Sequence, residues 1–241
     1  MYNNLFFEGV QYMQGIKVGL VGIGKLGTAL VRQWNQKSKA IGLYHPNTTK
    51  LEQFSSSYKN SYPVTKSELG NLDVIILALS ASDIIPFISN LLEENISLKN
   101  TQVVNMATAL STRDIQQKFP SLNVIGVKYM GHSRDLFENG EALFISETKL
   151  SGQIKGYFES IGKIKNDSEE RLIQVNKLAT YYAAKAAIEI ESAFAEKGLS
   201  SEYATRALTS IAPEVIRSYS NGTLGHFAKE IVKELKGSKV E

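Results

Sequence analysis

The sequence predicts an α/β fold, in which a doubly wound parallel sheet is followed by a smaller, all-helical C-terminal domain. Three observations lead to this prediction. An apolar run of strand type ends in three closely spaced glycines, and a helical pattern follows it at once. Strand-like and helix-like segments then alternate regularly to about residue 150. From Ser168 onward the pattern is helical.

The glycine-rich turn is the most specific motif in the chain. A strand-like run at 16–21 leads into Gly22-x-Gly24-x-x-Gly27, and apolar residues then recur at helical spacing. Gly22 would make the tight turn, Gly24 would let a pyrophosphate approach the backbone, and Gly27 would let helix and strand pack closely. The anion would lie on free N–H groups at the positive end of the helix. The motif therefore predicts a Rossmann-type dinucleotide-binding domain whose cofactor loop comprises Gly22, Ile23, Gly24, Lys25, Leu26 and Gly27.

The predicted dinucleotide-binding domain spans residues 15–166. Residues 1–14 are interpreted as an N-terminal extension, with the natural start at either Met1 or Met13. Further strands are expected at 40–44, 63–64, 72–79, 101–106, 123–128, 142–145 and 162–164, and helices at 50–58, 84–92, 112–118 and 152–161. The segment 72–79 is almost entirely apolar, which is typical of a parallel strand covered on both faces.

The C-terminal domain is predicted over residues 167–241. Its first helix, at 169–197, is rich in alanine, carries apolar residues on more than one face, and is followed by Gly198. Helices at 201–219 and up to about Leu235 follow. Such a helix must be buried on several sides, and so few residues cannot cover it alone. We therefore expect a homodimer formed through the C-terminal helices.

Composition excludes several classes of function. The 241 residues carry a net charge of +3, which is too small to indicate nucleic-acid binding. The chain has no cysteine, and its three histidines are far apart, so neither disulfides nor a metal site are expected. There is no apolar run long enough to span a membrane and no signal-peptide pattern at the N-terminus, so we predict a cytoplasmic protein without a membrane partner.

The end of the second predicted strand distinguishes NADP from NAD. An acidic residue there would bind the ribose 2′-hydroxyl of NAD and repel a 2′-phosphate. This chain has no acidic residue there, and offers His45, Asn47, Thr48 and Lys50 instead. Neutral donors and a cation suit a phosphate, so NADP is predicted, with NAD as the alternative. Lys50 and Lys25 could equally be solvated surface residues.

Several segments in order resemble pyrroline-5-carboxylate reductase and its relatives. They are the glycine loop, residues 73–84, 103–107, 128–133 and 140–143, and the pair 188–193 and 198–204. The resemblance implies an oxidoreductase with a dimer-forming helix pair, and it adds Leu79, Ser80 and Ala107 to the cofactor site. Residues 79–81 stand where the family has Val-Lys-Pro, and Gly131-His132 stands where it has Pro-Asn. The substrate motifs are therefore altered.

Two places could supply a proton during hydride transfer. One is the loop that holds His132 and Ser133, because ligands of open α/β sheets bind at strand ends and histidine titrates near neutral pH. The other is the start of the long helix, where Lys177, Thr180 and Tyr181 share one face at i, i+3 and i+4. His132, Lys177 and Thr180 are the candidate catalytic residues. The alternative interpretations are structural: a loop hydrogen bond for His132, a solvent-exposed charge for Lys177 and interface packing for Tyr181.

The leading hypothesis is an NADP-dependent oxidoreductase that acts on a small imine, keto acid or hydroxy acid. The alternative is a non-catalytic dinucleotide-binding protein, a sensor or assembly partner that retained the fold. The altered motifs favour the alternative, whereas His132 and Lys177 favour an enzyme.

Overall fold

The computed structural model of the protein describes residues 15–150 and 152–237. The predicted N-terminal extension, residues 1–14, lies outside the described residues. Within the described ranges the strands are β1 (Val18–Val21), β2 (Ile41–Tyr44), β3 (Ser61–Pro63), β4 (Val74–Leu77), β5 (Gln102–Asn105), β6 (Asn123–Gly126), β7 (Lys128–Tyr129), β8 (Ala142–Ser146) and β9 (Gly162–Asn166). The helices are α1 (Lys25–Gln36), α2 (Thr48–Ser56), α3 (Ala81–Glu93), α4 (Thr112–Lys118), α5 (Ser133–Asn139), α6 (Gly152–Glu159), α7 (Glu169–Glu196), α8 (Ser201–Arg206), α9 (Ala212–Asn221) and α10 (His226–Gly237).

The main sheet is parallel throughout and has the strand order β3-β2-β1-β4-β5-β6. The order reverses between β1 and β4, and open sheets of this kind bind ligands in the crevice at that point. The predicted doubly wound Rossmann-type fold is confirmed. β3 ends at Pro63, one residue earlier than predicted, and lies at the edge of the sheet, where a residue without an N–H is tolerated.

A second, smaller sheet has the order β7-β8-β9, with β7 antiparallel and β9 parallel to β8. The prediction of one continuous strand at 123–128 was wrong. β6 ends the main sheet at Gly126, and Lys128 and Tyr129 pair with Ile145 and Phe144 in the second sheet. Residues 124–129 are all buried, so hydrophobicity alone gave no indication of the break.

Two apolar layers cover the faces of the main sheet. Because successive side chains of a strand point to opposite faces, Leu20 joins the layer beneath α1, while Val21 joins the layer beneath α3. Trp34 of α1 is fully buried, and its indole N–H donates to the carbonyl oxygen of Tyr157 at 2.9 Å. The Nε2 of Gln33 donates to the carbonyl oxygen of Leu136 at 2.8 Å, which fixes α5 beside α1.

The chain divides into two compact units between Val175 and Asn176. The last strand ends at Asn166, but the first turns of α7 remain with the first unit, since Glu169 and Leu172 are buried there. The second unit is helical in its described part, as predicted. Gly198, with φ +67°, follows α7 in the left-handed conformation that commonly ends a helix.

No helix in the described residues combines the length and hydropathy needed to span a bilayer.

Candidate functional site

The turn between β1 and α1 has the geometry that its glycines predict. Gly22 has φ +101°, and a Cβ there would lie 2.6 Å from the carbonyl oxygen of Ala78. A Cβ on Gly27 would overlap the carbonyl oxygen of Gly22, so only glycine lets α1 approach the turn this closely. A Cβ on Gly24, by contrast, would meet nothing within 4 Å. Gly22 and Gly27 are thus needed by the fold, whereas the space over Gly24 is open to a ligand.

The N-terminus of α1 is free to bind an anion. Gly24 is its N-cap residue, no side chain caps it, and its first turn contains no acidic residue. The first amide groups of a helix need acceptors from outside the helix, and its dipole favours a negative charge at this end. These features fit the pyrophosphate of a dinucleotide.

Two cavities open beside the glycine turn, both within the first compact unit. The β1–β2 cavity, of about 620 Å³, is lined by Gly22, Gly24, Tyr44, His45, Lys50, Lys66, Leu79, Ser80, Asp83, Phe87 and Asn90, among others. The α1–α5 cavity, of about 560 Å³, is lined by Ile23, Gly24, Lys25, Thr28, His132, Ser133, Arg134 and Phe137. Ile23 and Gly24 line both, so the cavities adjoin across the loop.

The predicted cofactor residues take different positions. His45, Lys50, Leu79 and Ser80 line the β1–β2 cavity, and Lys25 lines the α1–α5 cavity. Leu26 packs against the apolar core. Asn47 caps α2 by accepting the N–H of Lys50 at 2.8 Å, and Thr48 lines a smaller neighbouring cavity of about 350 Å³. Ala107 is buried after β5.

Sequence reasoning missed several residues of the β1–β2 cavity. Tyr44 and Phe87 form an aromatic pair with ring centroids 5.8 Å apart. Lys66 contacts the side chains of Asn90 and Glu94. It follows β3, which is the neighbour of β2, so the strand-end rule would have found it if it had been extended to the third strand. The carboxylate of Asp83 accepts the hydroxyl of Ser80 at 2.6 Å.

His132 lies at the start of α5, in the α1–α5 cavity. Its Nδ1 accepts the N–H of Arg134 at 3.2 Å and so caps the helix. With Nδ1 used as an acceptor, the neutral ring carries its proton on Nε2. The structure therefore brings an exposed imidazole beside the glycine turn, with its Nε2–H available as a hydrogen-bond donor. Lys177 and Thr180, the other candidate catalytic residues, are exposed on α7 in the second unit.

A buried polar network lies behind the ends of β5 and β6. Lys128 is fully buried and donates to the carbonyl oxygens of Ala107 at 2.6 Å and Leu110 at 3.0 Å, with the carboxylate of Glu169 at 3.5 Å. Burial lowers the pKa of the Lys128 ammonium to about 8, and the charge of Glu169 opposes that shift. Glu169 accepts from the N–H and hydroxyl of Thr112.

Comparison with known families and structures supports the same fold. Residues 17–109, less than half of the chain, match the family model described as "NADP oxidoreductase coenzyme F420-dependent". A comparison with curated proteins gives no match. The match covers the glycine turn and extends to the loop after β5, and it supports a dinucleotide-binding domain of the NADP-oxidoreductase type.

Three solved structures illustrate the likeness. A pyrroline-5-carboxylate reductase from Coxiella burnetii superposes with a TM-score of 0.64 at 14% identity, over 94% of this chain and 92% of that chain. A reductive aminase from Aspergillus terreus, in complex with NADPH and ethyl-5-oxohexanoate, gives 0.59 at 15% identity, over 87% and 79%. A variant imine reductase from Myxococcus stipitatus, in complex with NAD+, gives 0.54 at 12% identity, over 87% and 78%. At these identities the likeness concerns the fold, and it confirms the fold expected from the family resemblance.

Gly24→Val tests whether the glycine turn binds a dinucleotide. The branched side chain enters open space, so the variant should fold with an unchanged melting temperature and lose NADPH binding in calorimetry. Gly27→Ala is the matched comparison, because its methyl group overlaps backbone and should lower the melting temperature directly. Wild-type affinity in a folded Gly24→Val variant would contradict the assignment.

Proposed function

We propose that the protein is an NADPH-dependent reductase of small molecules that carry an imine or carbonyl group, including keto acids and, in the reverse direction, hydroxy acids. The observation that carries the proposal is the uncapped glycine turn that opens onto a cavity with two lysines. The adenosine half of the cofactor is assigned to the β1–β2 cavity. The nicotinamide half is assigned to the crevice beyond the glycine turn, towards the ends of β4 and β5.

Charge in the β1–β2 cavity favours NADP over NAD. No acidic residue directly follows β2, and the cavity is lined by two lysines, Lys50 and Lys66, against one carboxylate, that of Asp83. The negatively charged 2′-phosphate of NADP could accept charge-assisted hydrogen bonds from both lysine side chains. Lys66 already contacts Glu94, so Lys50 is the cation with more to gain from a phosphate.

Titration with both cofactors tests this assignment. We expect NADPH to bind more tightly than NADH in calorimetry, and Lys50→Glu to reduce the NADPH affinity by about tenfold, since it replaces an attraction with a repulsion. Lys59→Glu makes the same charge change at another exposed position and should leave the affinity unchanged. Tighter binding of NADH by the wild type would refute the preference.

The reaction needs a hydride, which the bound nicotinamide supplies, and a proton, which the protein must give. The neutral His132 can hydrogen-bond and polarise the reacting nitrogen or oxygen through its Nε2–H, because its Nδ1 is used to cap α5. As an imidazolium, formed when Nδ1 gives up the cap and takes a proton, it would transfer the Nε2 proton and return to the neutral ring. Lys177 and Thr180 form the second candidate proton-donating group on one exposed face of α7. The proposal assigns substrate to the α1–α5 cavity, which His132 lines beside the glycine turn.

Two substitutions test the proton donors. His132→Asn keeps an acceptor for the N–H of Arg134, so α5 stays capped while the imidazole ring is lost. We expect His132→Asn or Lys177→Met to lower kcat by about 10² to 10⁴ with NADPH affinity nearly unchanged. Lys185→Met, at an exposed lysine on the same helix as Lys177, serves as the control.

The outcomes separate the two candidate functions. Unchanged turnover in both variants would show that these residues are structural. If the wild type binds NADPH but reduces no imine or keto acid in a substrate screen, the non-catalytic dinucleotide-binding protein becomes the better interpretation.

A homodimer formed through the C-terminal helices is part of the proposal. The large apolar side chains that are more than half exposed on α7 and the helices after it include Leu178, Tyr181, Tyr182, Ile188, Tyr203, Ile211, Ile216, Tyr219, Phe227 and Leu235. Alanines at 183, 184, 186 and 187 would let a second helix approach α7 closely. A second copy of the chain is the partner that would bury this surface by symmetry.

Light scattering tests the assembly. At micromolar concentration we expect the mass of a dimer, and we expect Ile188→Glu to shift it to that of a monomer by placing a charge in the interface. Glu191→Gln, at an exposed position of the same helix, should leave the mass unchanged. A monomeric wild type would rule out the dimer.

A further inference from the structure

The most unusual group in the first unit is the ammonium of Lys128, which has no access to water. Taking such a charge out of water is costly unless its hydrogen bonds and an opposite charge compensate. Lys128 has both, because it donates to two carbonyl oxygens and lies 3.5 Å from the carboxylate of Glu169. The two carbonyl oxygens, of Ala107 and Leu110, belong to one loop, residues 107–110, which we call the β5 loop.

The β5 loop is held from two sides. Asn105, the last residue of β5, accepts the N–H of Ala107 at 3.0 Å and donates to the carbonyl oxygen of Leu110 at 2.9 Å. Lys128 holds the carbonyl oxygens of the same two residues from the second sheet. Both ends of the loop are therefore fixed by buried side chains, and its central residue Ala109 remains exposed.

The carboxylate of Glu169, which faces Lys128, is also held in place. The carboxylate of Glu169 accepts the N–H of Thr112 at 3.0 Å and its hydroxyl at 2.5 Å. The N–H of Glu169 in turn donates to the carboxylate of Glu147 at 2.9 Å. Lys128 thus joins the β5 loop to the starts of α4 and α7, and the loop cannot shift without breaking hydrogen bonds to a buried ammonium group.

The position of the β5 loop in the sheet relates it to the second nucleotide of a bound dinucleotide. A dinucleotide spans the crevice of a doubly wound sheet, with one nucleotide against each half of the fold. Here the lysine-lined cavity lies between the segments that follow β1, β2 and β3 and residues 78–90 after β4. The second nucleotide is therefore expected beyond β4, where the β5 loop follows the next strand of the sheet.

We propose that Lys128 is a positioning residue which, with Asn105, fixes the β5 loop as the support for the nicotinamide half of the cofactor. This inference rests on the proposed function. Lys128 acts through the backbone of Ala107 and Leu110 and does not itself touch the cofactor. A loop that is already rigid loses little conformational entropy when a ligand binds to it. This rigidity favours affinity for the part of the ligand that the loop contacts.

Two ligands that differ only in the nicotinamide test the proposal. NADPH carries it, and 2′-phospho-ADP-ribose is the same molecule without it. We expect Lys128→Met to weaken NADPH about tenfold or more in calorimetry, while the affinity for 2′-phospho-ADP-ribose changes less than about twofold. Asn105→Leu loosens the same loop from its other side and should give the same split. Lys155→Met, at an exposed lysine paired with Glu159 on α6, should change neither affinity.

A merely structural lysine would give a different result. Equal weakening of both ligands, or no weakening of either, by a folded Lys128→Met variant would overturn the proposal. If the wild type binds neither ligand, the proposed function itself fails, and that result is distinct from the loss of the split.

A measurement on the wild-type protein covers the case in which the variants do not fold. Hydrogen exchange of the backbone amides at 108–110 should slow when NADPH is added and stay unchanged with 2′-phospho-ADP-ribose. Equal protection by the two ligands, or none by NADPH, would overturn the role of the β5 loop.

Discussion

The turn from β1 into α1 brings the backbones of three segments into contact, and most of the first unit is arranged around that contact. Gly22 lies against the carbonyl of Ala78 after β4, and Gly27 lies against the carbonyl of Gly22. Neither contact leaves room for a side chain. As a result α1 begins directly over the crevice of the sheet, with its uncapped amides facing the open space at Gly24. The same approach brings Trp34 into the core and, through Gln33, places α5 and His132 beside the turn.

Lysines serve two different purposes in this domain. Lys50 and Lys66 remain accessible at the edge of the β1–β2 cavity, where their side chains can meet a ligand phosphate. Lys128 is buried, has its pKa lowered to about 8 by loss of water, and uses its hydrogen bonds on the backbone of the β5 loop. The first pair suits recognition of a charged group, and the buried lysine suits rigidity. In the proposed function, they serve opposite ends of one dinucleotide.

The two candidate proton donors lie in different compact units. His132 is positioned by the first unit through the α1–α5 packing, whereas Lys177 and Thr180 belong to α7 beyond Val175. The local geometry of either unit therefore contains only one of the two candidate groups. The second unit exposes large apolar side chains on α7 and the helices after it, and patches of this kind mark interaction surfaces in other proteins.

The sequence by itself determined the features that depend on neighbouring residues. Local residue types and their spacing were enough to predict the glycine turn, the alternation of strands and helices, and the long helix that ends before Gly198. They also show that no acidic residue directly follows β2. Only the tertiary structure decided which strands pair, and it divided residues 123–129 between two sheets. It also brought Lys66 to the cavity and Lys128 to Glu169. The reason is that periodicity encodes which face of an element is buried, whereas a partner distant in the chain is fixed only when the elements pack.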